Sequence, residues 1–201
     1  MVHSPTISPV VPGARFDDAV VLASELHRSQ RRKGSGVPYL AHLLQVAGLV
    51  LEAGGDEETA IAALLHDAIE DQGGGATRAR IVRQFGERVA RFVDGCSDSS
   101  GSPKPPWRQR KLDHIGRMAT ESPEVRLIVA ADKIHNARSI TSDYRRRGDT
   151  LWPIFHGGRD GTLWYLHAMT DALIAADPDG PLLDELGAAL ATLDALVATG
   201  D

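Results

Sequence analysis

A single cysteine, Cys96, stands in 201 residues, so there is no disulfide framework and no cysteine-cluster zinc site. It reads as a small, near-buried apolar residue rather than a catalytic thiol. No stretch approaches the roughly 18 uninterrupted apolar residues that a membrane span needs. The opening MVHSPTISPVVPGA lacks the basic start and apolar core of a signal peptide, so the expected address is cytoplasmic, with no membrane partner. Excess positive charge is also missing. A formal net charge of -5 argues against general affinity for nucleic acid polymers, although local basic clusters can still hold a small phosphate ligand. The period-two alternation of strands is absent throughout, which makes the expected fold all-α.

The length suits one domain with a sizeable core, and 42% hydrophobic with 24% charged residues is an ordinary globular balance. Residues 1–14 hold prolines and serines without periodicity and read as a mobile tail before a domain spanning 15–201. Asp17 or Asp18 can cap a first helix running to about Arg32, and Pro38 suits the first turn of another reaching about Ala53. Asp56 can cap a third helix, which carries LLHDAIED and ends near Gly73. Thr77 opens a fourth, closing at Gly95. SDSSGSPKPP, residues 97–106, is a loop by its composition. Further helices are predicted at about 107–121, 123–142, 161–176 and 181–199, with only Thr141 to Gly161 resisting a helical reading. The sum is a bundle of about eight or more helices.

LLHDAIED puts four polar residues into a helix that otherwise looks like core. At about 100° per residue, His66, Asp67, Glu70 and Asp71 share one arc, while Ile61, Leu65, Ala68 and Ile69 share the opposite one. A polar face alone describes any surface helix. A second apolar helix, RLIVAADKIHNARSI, carries the same kind of break, because Asp132 and Asn136 continue the arc of Val125, Ile128 and Val129. A buried carboxylate needs a partner, and a nearby imidazole with a second carboxylate suggests a divalent cation. His42, in the nearly all-apolar LAHLLQVAGLVL, is otherwise a hydrogen-bonded core histidine; beside His66, Asp67 and Asp132 it becomes a candidate ligand. Two imidazoles and two carboxylates suit manganese, iron or zinc better than magnesium or calcium. Glu70 and Asp71 are placed to orient a water and move its proton.

His42, the HDxxED of residues 66–71 and the DKxxN of residues 132–136 together resemble the HD-domain metal-dependent phosphohydrolases. QRRKGSGVPYLAH, AALLHDAIED, FGERVARFVDGCSD and ADKIHNA, in this order over residues 30–136, are similar to the RelA/SpoT-type hydrolases of the alarmone guanosine tetraphosphate, including small single-domain ones. The resemblance implies an all-helical HD fold with manganese held by His42, His66, Asp67 and Asp132. It implies Glu70 and Asp71 as the catalytic acidic pair, with Asn136 assisting at the water or the substrate phosphate. Arg32 and Lys33 match a basic pair that contacts the nucleotide, and three consecutive cations before a glycine-containing loop can meet pyrophosphate groups. Lys104, Arg108, Arg110 and Lys111 match another basic cluster near the substrate. Ser97 and Asp98 read equally as helix-end and turn residues.

After Thr141 the resemblance is looser. Arg159 or Tyr165 is a candidate substrate contact, while Arg145 to Arg147 read as solvated. The last helix, LLDELGAALATLDALVA, can close the domain or form a homodimer contact. The resemblance implies a stand-alone enzyme without a synthetase half, hydrolysing the 3′-pyrophosphate of (p)ppGpp to GDP or GTP plus pyrophosphate in the stringent response. Two rivals stand beside it: an HD phosphohydrolase acting on (p)ppApp, NADPH or a nucleoside monophosphate, and a non-catalytic alarmone-binding protein.

Overall fold

Glycines and short polar caps cut the chain into helices. The computed structural model describes residues 11–98 and 103–199. Its helices are α1 (Ala14–Leu26), α2 (Leu40–Glu52), α3 (Glu57–Leu65), α4 (Ala68–Asp71), α5 (Gly75–Phe85), α6 (Glu87–Cys96), α7 (Trp107–Arg117), α8 (Pro123–Arg147), α9 (Gly158–Ala176) and α10 (Leu183–Thr199), with a 3₁₀ helix at Gly148–Ile154. The fold is all-α as expected: among the described residues the only β pairing is an isolated bridge between Arg31 and Pro38. No helix of the described residues is long and apolar enough to cross a membrane. The expected N-terminal tail lies outside the described residues as far as residue 10, and so does the 99–102 part of the expected loop.

Two caps hold helix starts, of which Asp56 acts as the sequence predicts and Ser122 was not read from it. The Asp56 carboxylate accepts from the Thr59 backbone N–H at 2.8 Å, and Ser122 accepts from that of Val125 ahead of Pro123 at the start of α8. Other boundaries differ. Helix α1 begins at Ala14, before Asp17 and Asp18, and stops at Leu26 instead of Arg32. The segment beyond it turns through Gly34 (φ +88°) and Gly36 (φ +70°), which a continuing helix excludes. Gly86, at φ +90°, divides the expected fourth helix into α5 and α6. The predicted third helix breaks at His66–Asp67. Asp67 sits at φ -97° and ψ -3°, off the helical ladder, and the chain resumes as α4. Thr141 to Arg147, in the segment that resisted a helical reading, continues α8, because Thr141, Asp143 and Tyr144 are buried against neighbouring elements.

Helix α8 runs through the middle of the bundle, packed on α2, α3, α6, α9 and α10. Helix α3 is buried from Thr59 to Leu65, and its Ile61, Leu64 and Leu65 meet a core that includes Ile128 and Ile134 of α8. The stripe of α10 (Leu186, Ala189, Leu190, Leu193, Val197) is buried against α8 and α9, so this helix closes the domain from within. Each leucine there contributes about 1.5–3 kcal/mol by leaving water.

Candidate active site

Three elements bring polar side chains to one place: α2 supplies His42, the α3–α4 junction supplies His66 and Asp67, and α8 supplies Asp132. The packing of α2 and α3 on α8 makes this possible. One donor atom each from His42, His66 and Asp67 falls within 4.8 Å of the others. His42 Nε2 lies 3.3 Å from Asp132 Oδ1 and 3.7 Å from Asp67 Oδ2. His66 Nε2 lies 3.0 Å from Asp67 Oδ2 and 3.8 Å from Asp132 Oδ1. Both imidazoles are buried. Asp67 itself stands at the junction between the two helices, where its carboxylate meets both imidazoles.

Second partners hold the rings. His66 Nδ1 bonds the Ala63 carbonyl at 2.8 Å, which leaves Nε2 buried, without a hydrogen bond, between two carboxylates. A divalent cation satisfies such a set: its charge pairs both carboxylates, and the orphaned imidazole nitrogen becomes a ligand. The four residues therefore fit the group that the sequence suggests, and they form a candidate divalent-metal site. Burial opposes charge on His66, but Asp67 and Asp132 outweigh it and raise the imidazole to about 9 in the metal-free protein. His42 Nδ1 lies 2.8 Å from Nδ1 of His135, a residue the sequence reading passed over. Burial, then the neighbouring His42 and Arg32, lower His135 to about 4, so at neutral pH it is a neutral imidazole, and one of the two Nδ1 atoms carries the hydrogen they share.

Tyr39 and Lys133 were also missed. The Tyr39 hydroxyl donates to Asp67 Oδ2, and the buried Lys133 ammonium pairs with Asp132 Oδ2. The spacing of Tyr39 three residues before His42, one helical turn, was the available signal. Asn136 joins the set through its amide, donating to Asp132 Oδ1 at 2.7 Å and accepting from Arg32 at 2.9 Å.

Glu70 and Asp71 lie one turn beyond the His-Asp pair, and their surroundings differ. Glu70 accepts from the Asp98 backbone N–H at 3.2 Å and from Lys104 at 3.0 Å, with Arg110 at 3.6 Å. Asp71 has one partner, the Gln30 amide at 2.8 Å, and otherwise faces an open cleft. Burial raises both carboxyls, helped by the Asp98 charge at Glu70 and the Asp67 charge at Asp71. Asp98 itself is buried; Lys111 at 2.6 Å and Arg110 override the cost of burial and hold it at about 2.

The cleft encloses about 1410 Å³ and runs from Asp67, Glu70, Asp71 and Asp132 past Asn136 to Asp143, Phe155 and His156. Arg31, Arg32 and Lys33 line its mouth, and Tyr165 its wall. Lys104 reaches it through Glu70. Arg159, a predicted contact, is exposed on the first turn of α9 and is not among the residues that line it. Arg108 is spent on the Trp164 ring, 4.0 Å from its centroid. Arg147 is tied to the Gly34 carbonyl at 3.0 Å and pins the basic loop to α8. Behind the cation site a smaller chamber of about 360 Å³ is lined by Cys96, Asp98, Lys111, His114 and Tyr165, among others.

Comparison with known proteins agrees with this geometry. The chain is 26% identical, with a TM-score of 0.73, to a solved structure described as a metazoan ortholog of SpoT that hydrolyses ppGpp, covering 94% of this chain and 97% of that one. It is 35% identical over 147 residues to a GTP pyrophosphokinase of Myxococcus xanthus, covering 69% of this chain and 19% of that protein. It is 36% identical over 125 residues to a guanosine-3′,5′-bis(diphosphate) 3′-pyrophosphohydrolase of Aquifex aeolicus, covering 61% and 17%. The chain thus spans about a fifth of the length of these curated relatives. A family model described as HD domain matches residues 19–163, a span that contains every residue of the candidate site from Tyr39 to Asn136. With this match, the all-helical fold and the clustered His42, His66, Asp67 and Asp132, the chain belongs to the HD domain family.

Proposed function

We propose that the protein is a manganese-dependent hydrolase of the 3′-pyrophosphate of (p)ppGpp, releasing GDP or GTP and pyrophosphate. The observation that carries this is the orphaned His66 Nε2 amid two carboxylates, at the floor of a cleft whose mouth presents Arg31, Arg32 and Lys33. The relatives named for ppGpp hydrolysis support the choice of substrate.

His42, His66, Asp67 and Asp132 would hold the cation, which when bound supplies Lewis-acid polarisation of a phosphoryl oxygen and lowers the pKa of water. Asp71 is the better base of the acidic pair. It has an oxygen without a hydrogen bond towards the cleft and a carboxyl raised by burial and Asp67, which makes it the stronger acceptor for the proton of the attacking water. Glu70, held by Lys104 and the Asp98 backbone, orients the water instead. As the new P–O bond forms, the 3′-oxygen leaves and takes a proton. Arg32 and Lys33 neutralise the phosphate charge, and Asn136 keeps Arg32 in register with Asp132.

The test uses metal-stripped protein given ppGpp with and without manganese, with products separated by anion exchange. Chelator-sensitive release of GDP and pyrophosphate is expected. No turnover by protein shown to bind manganese overturns the proposal and directs the assay to ppApp, NADPH and nucleoside monophosphates.

A further inference from the structure

The base of this mechanism is held by a side chain to which the mechanism gives no part. Gln30 Nε2 donates to Asp71 Oδ2 at 2.8 Å. Its amide oxygen lies between two further groups, His27 Nδ1 at 2.7 Å and the Gln72 amide nitrogen, which donates to it at 2.6 Å. An ionised carboxylate only accepts, so the Gln30 atom facing Asp71 is the nitrogen and the atom facing His27 is the oxygen. His27 Nδ1 therefore carries a hydrogen. Burial lowers this imidazole below its ordinary value, against the Gln30 hydrogen bond, so at neutral pH it is neutral and its buried Nε2 is bare, without a hydrogen bond among the described residues. The ring is 2% exposed, follows the last turn of α1 and stacks on Tyr39 with centroids 5.4 Å apart. Its N–H is thus fixed by the core.

We infer that Gln30 is the positioning residue of Asp71, its amide turned by His27 and Gln72 so that one carboxylate oxygen is engaged and the other is presented to the attacking water. This rests on the reading of Asp71 as the base. The last torsion of an aspartate is broad, and tying one oxygen removes that freedom. Oδ2 keeps its hydrogen bond while Oδ1 takes the proton, so the proton goes to the oxygen on the cleft side. A neutral amide suits this task. Lys104, which holds the neighbouring Glu70, is a charged donor, and a charged donor favours the ionised carboxylate and so weakens it as a base. Gln30 orients Asp71 at less cost in basicity.

The experiment compares the manganese-loaded parent, Gln30→Ala, Asp71→Asn and the double variant on ppGpp, with manganese affinity read by isothermal titration. Gln30 is half-buried, and its backbone bonds to His27 and Tyr39 persist in the alanine variant, which is expected to fold. Gln30→Ala should lower kcat by about 10- to 100-fold, with KM and manganese affinity close to the parent's. In the Asp71→Asn background the same change should cost less than about 2-fold, because no base is left to position. His27→Phe keeps a ring beside Tyr39 but offers no N–H; it should lower kcat in the parent and add less than about 2-fold to Gln30→Ala. An unchanged kcat in Gln30→Ala, weakened manganese binding, or losses that simply multiply in either pair overturns the inference while leaving the hydrolase reading intact. No hydrolysis of ppGpp by a parent shown to bind manganese removes the hydrolase reading and this inference together.

Discussion

Asp71 and Asp132 are both carboxylates at the floor of the cleft, and their partners separate what they do. Asp132 lies between His42, Lys133 and Asn136, so its loss leaves imidazoles and an ammonium without their counter-charge. Asp71 has the Gln30 amide as its one side-chain hydrogen-bond partner among the described residues and lines the cleft. Asp132→Asn is therefore expected to abolish manganese binding and turnover together. Asp71→Asn should keep manganese affinity and lower kcat by about 10²- to 10⁴-fold, the usual worth of a positioned base. Isothermal titration with manganese beside single-turnover kinetics checks both, and an unchanged rate in Asp71→Asn would remove its role as base. At this scale His42, His66, Asp67, Asp132 and Asn136 were legible as polar breaks in apolar helices. His135, Tyr39 and Lys133 were not, because each acts through a contact made across elements that periodicity does not describe.

The loop from His27 to Tyr39 shows how an element's backbone aims side chains. Arg31, Arg32 and Lys33 stand just before Gly34, whose φ of +88° turns the chain back towards Pro38. Gly34→Ala would put a Cβ in the left-handed region and 3.1 Å from Ile154 Cδ1. The expected result is a loss of about 1 kcal/mol or more in stability, with KM for ppGpp raised more than kcat is lowered. Urea denaturation and steady-state kinetics read the two effects, and unchanged KM would show that the loop does not position substrate. The helix boundaries teach the same lesson. Asp56 was a readable cap, since capping is local. The break at His66–Asp67 was not readable: each residue has acceptable helical propensity, and Asp67 is held by Tyr39 and His42 from another part of the chain.

Across the whole molecule, buried histidines tie stability to pH. Burial, with Lys133 and Arg117 nearby, lowers His114 to about 3. Below the unfolded value of about 6.5 the unfolded chain holds a proton that folded His114 refuses. Its contribution is therefore complete above about pH 6.5 and is lost as pH falls towards 3. His66, raised to about 9, is protonated in both states over that window and adds no slope there. Metal-free protein should lose stability on acidification from pH 6.5, and His114→Gln should flatten that dependence by up to about 1.4 kcal/mol per pH unit. Urea unfolding between pH 4.5 and 6.5 measures it; parallel curves for parent and variant would show that His114 takes up its proton without unfolding.

The amino-acid sequence by itself determined the all-α class, most helix cores, the apolar stripe of α10 though not what covers it, and the residue types that could hold a cation, because periodicity, caps and polar breaks are local quantities. Only the tertiary structure decided that His42, His66, Asp67 and Asp132 converge, that Asp71 stays open while Glu70 is engaged, that Arg159 is left out of the cleft lining and that Asp143 is part of it. Those outcomes depend on which helix faces meet when α2, α3 and α9 pack on α8, and no window along one segment contains that information.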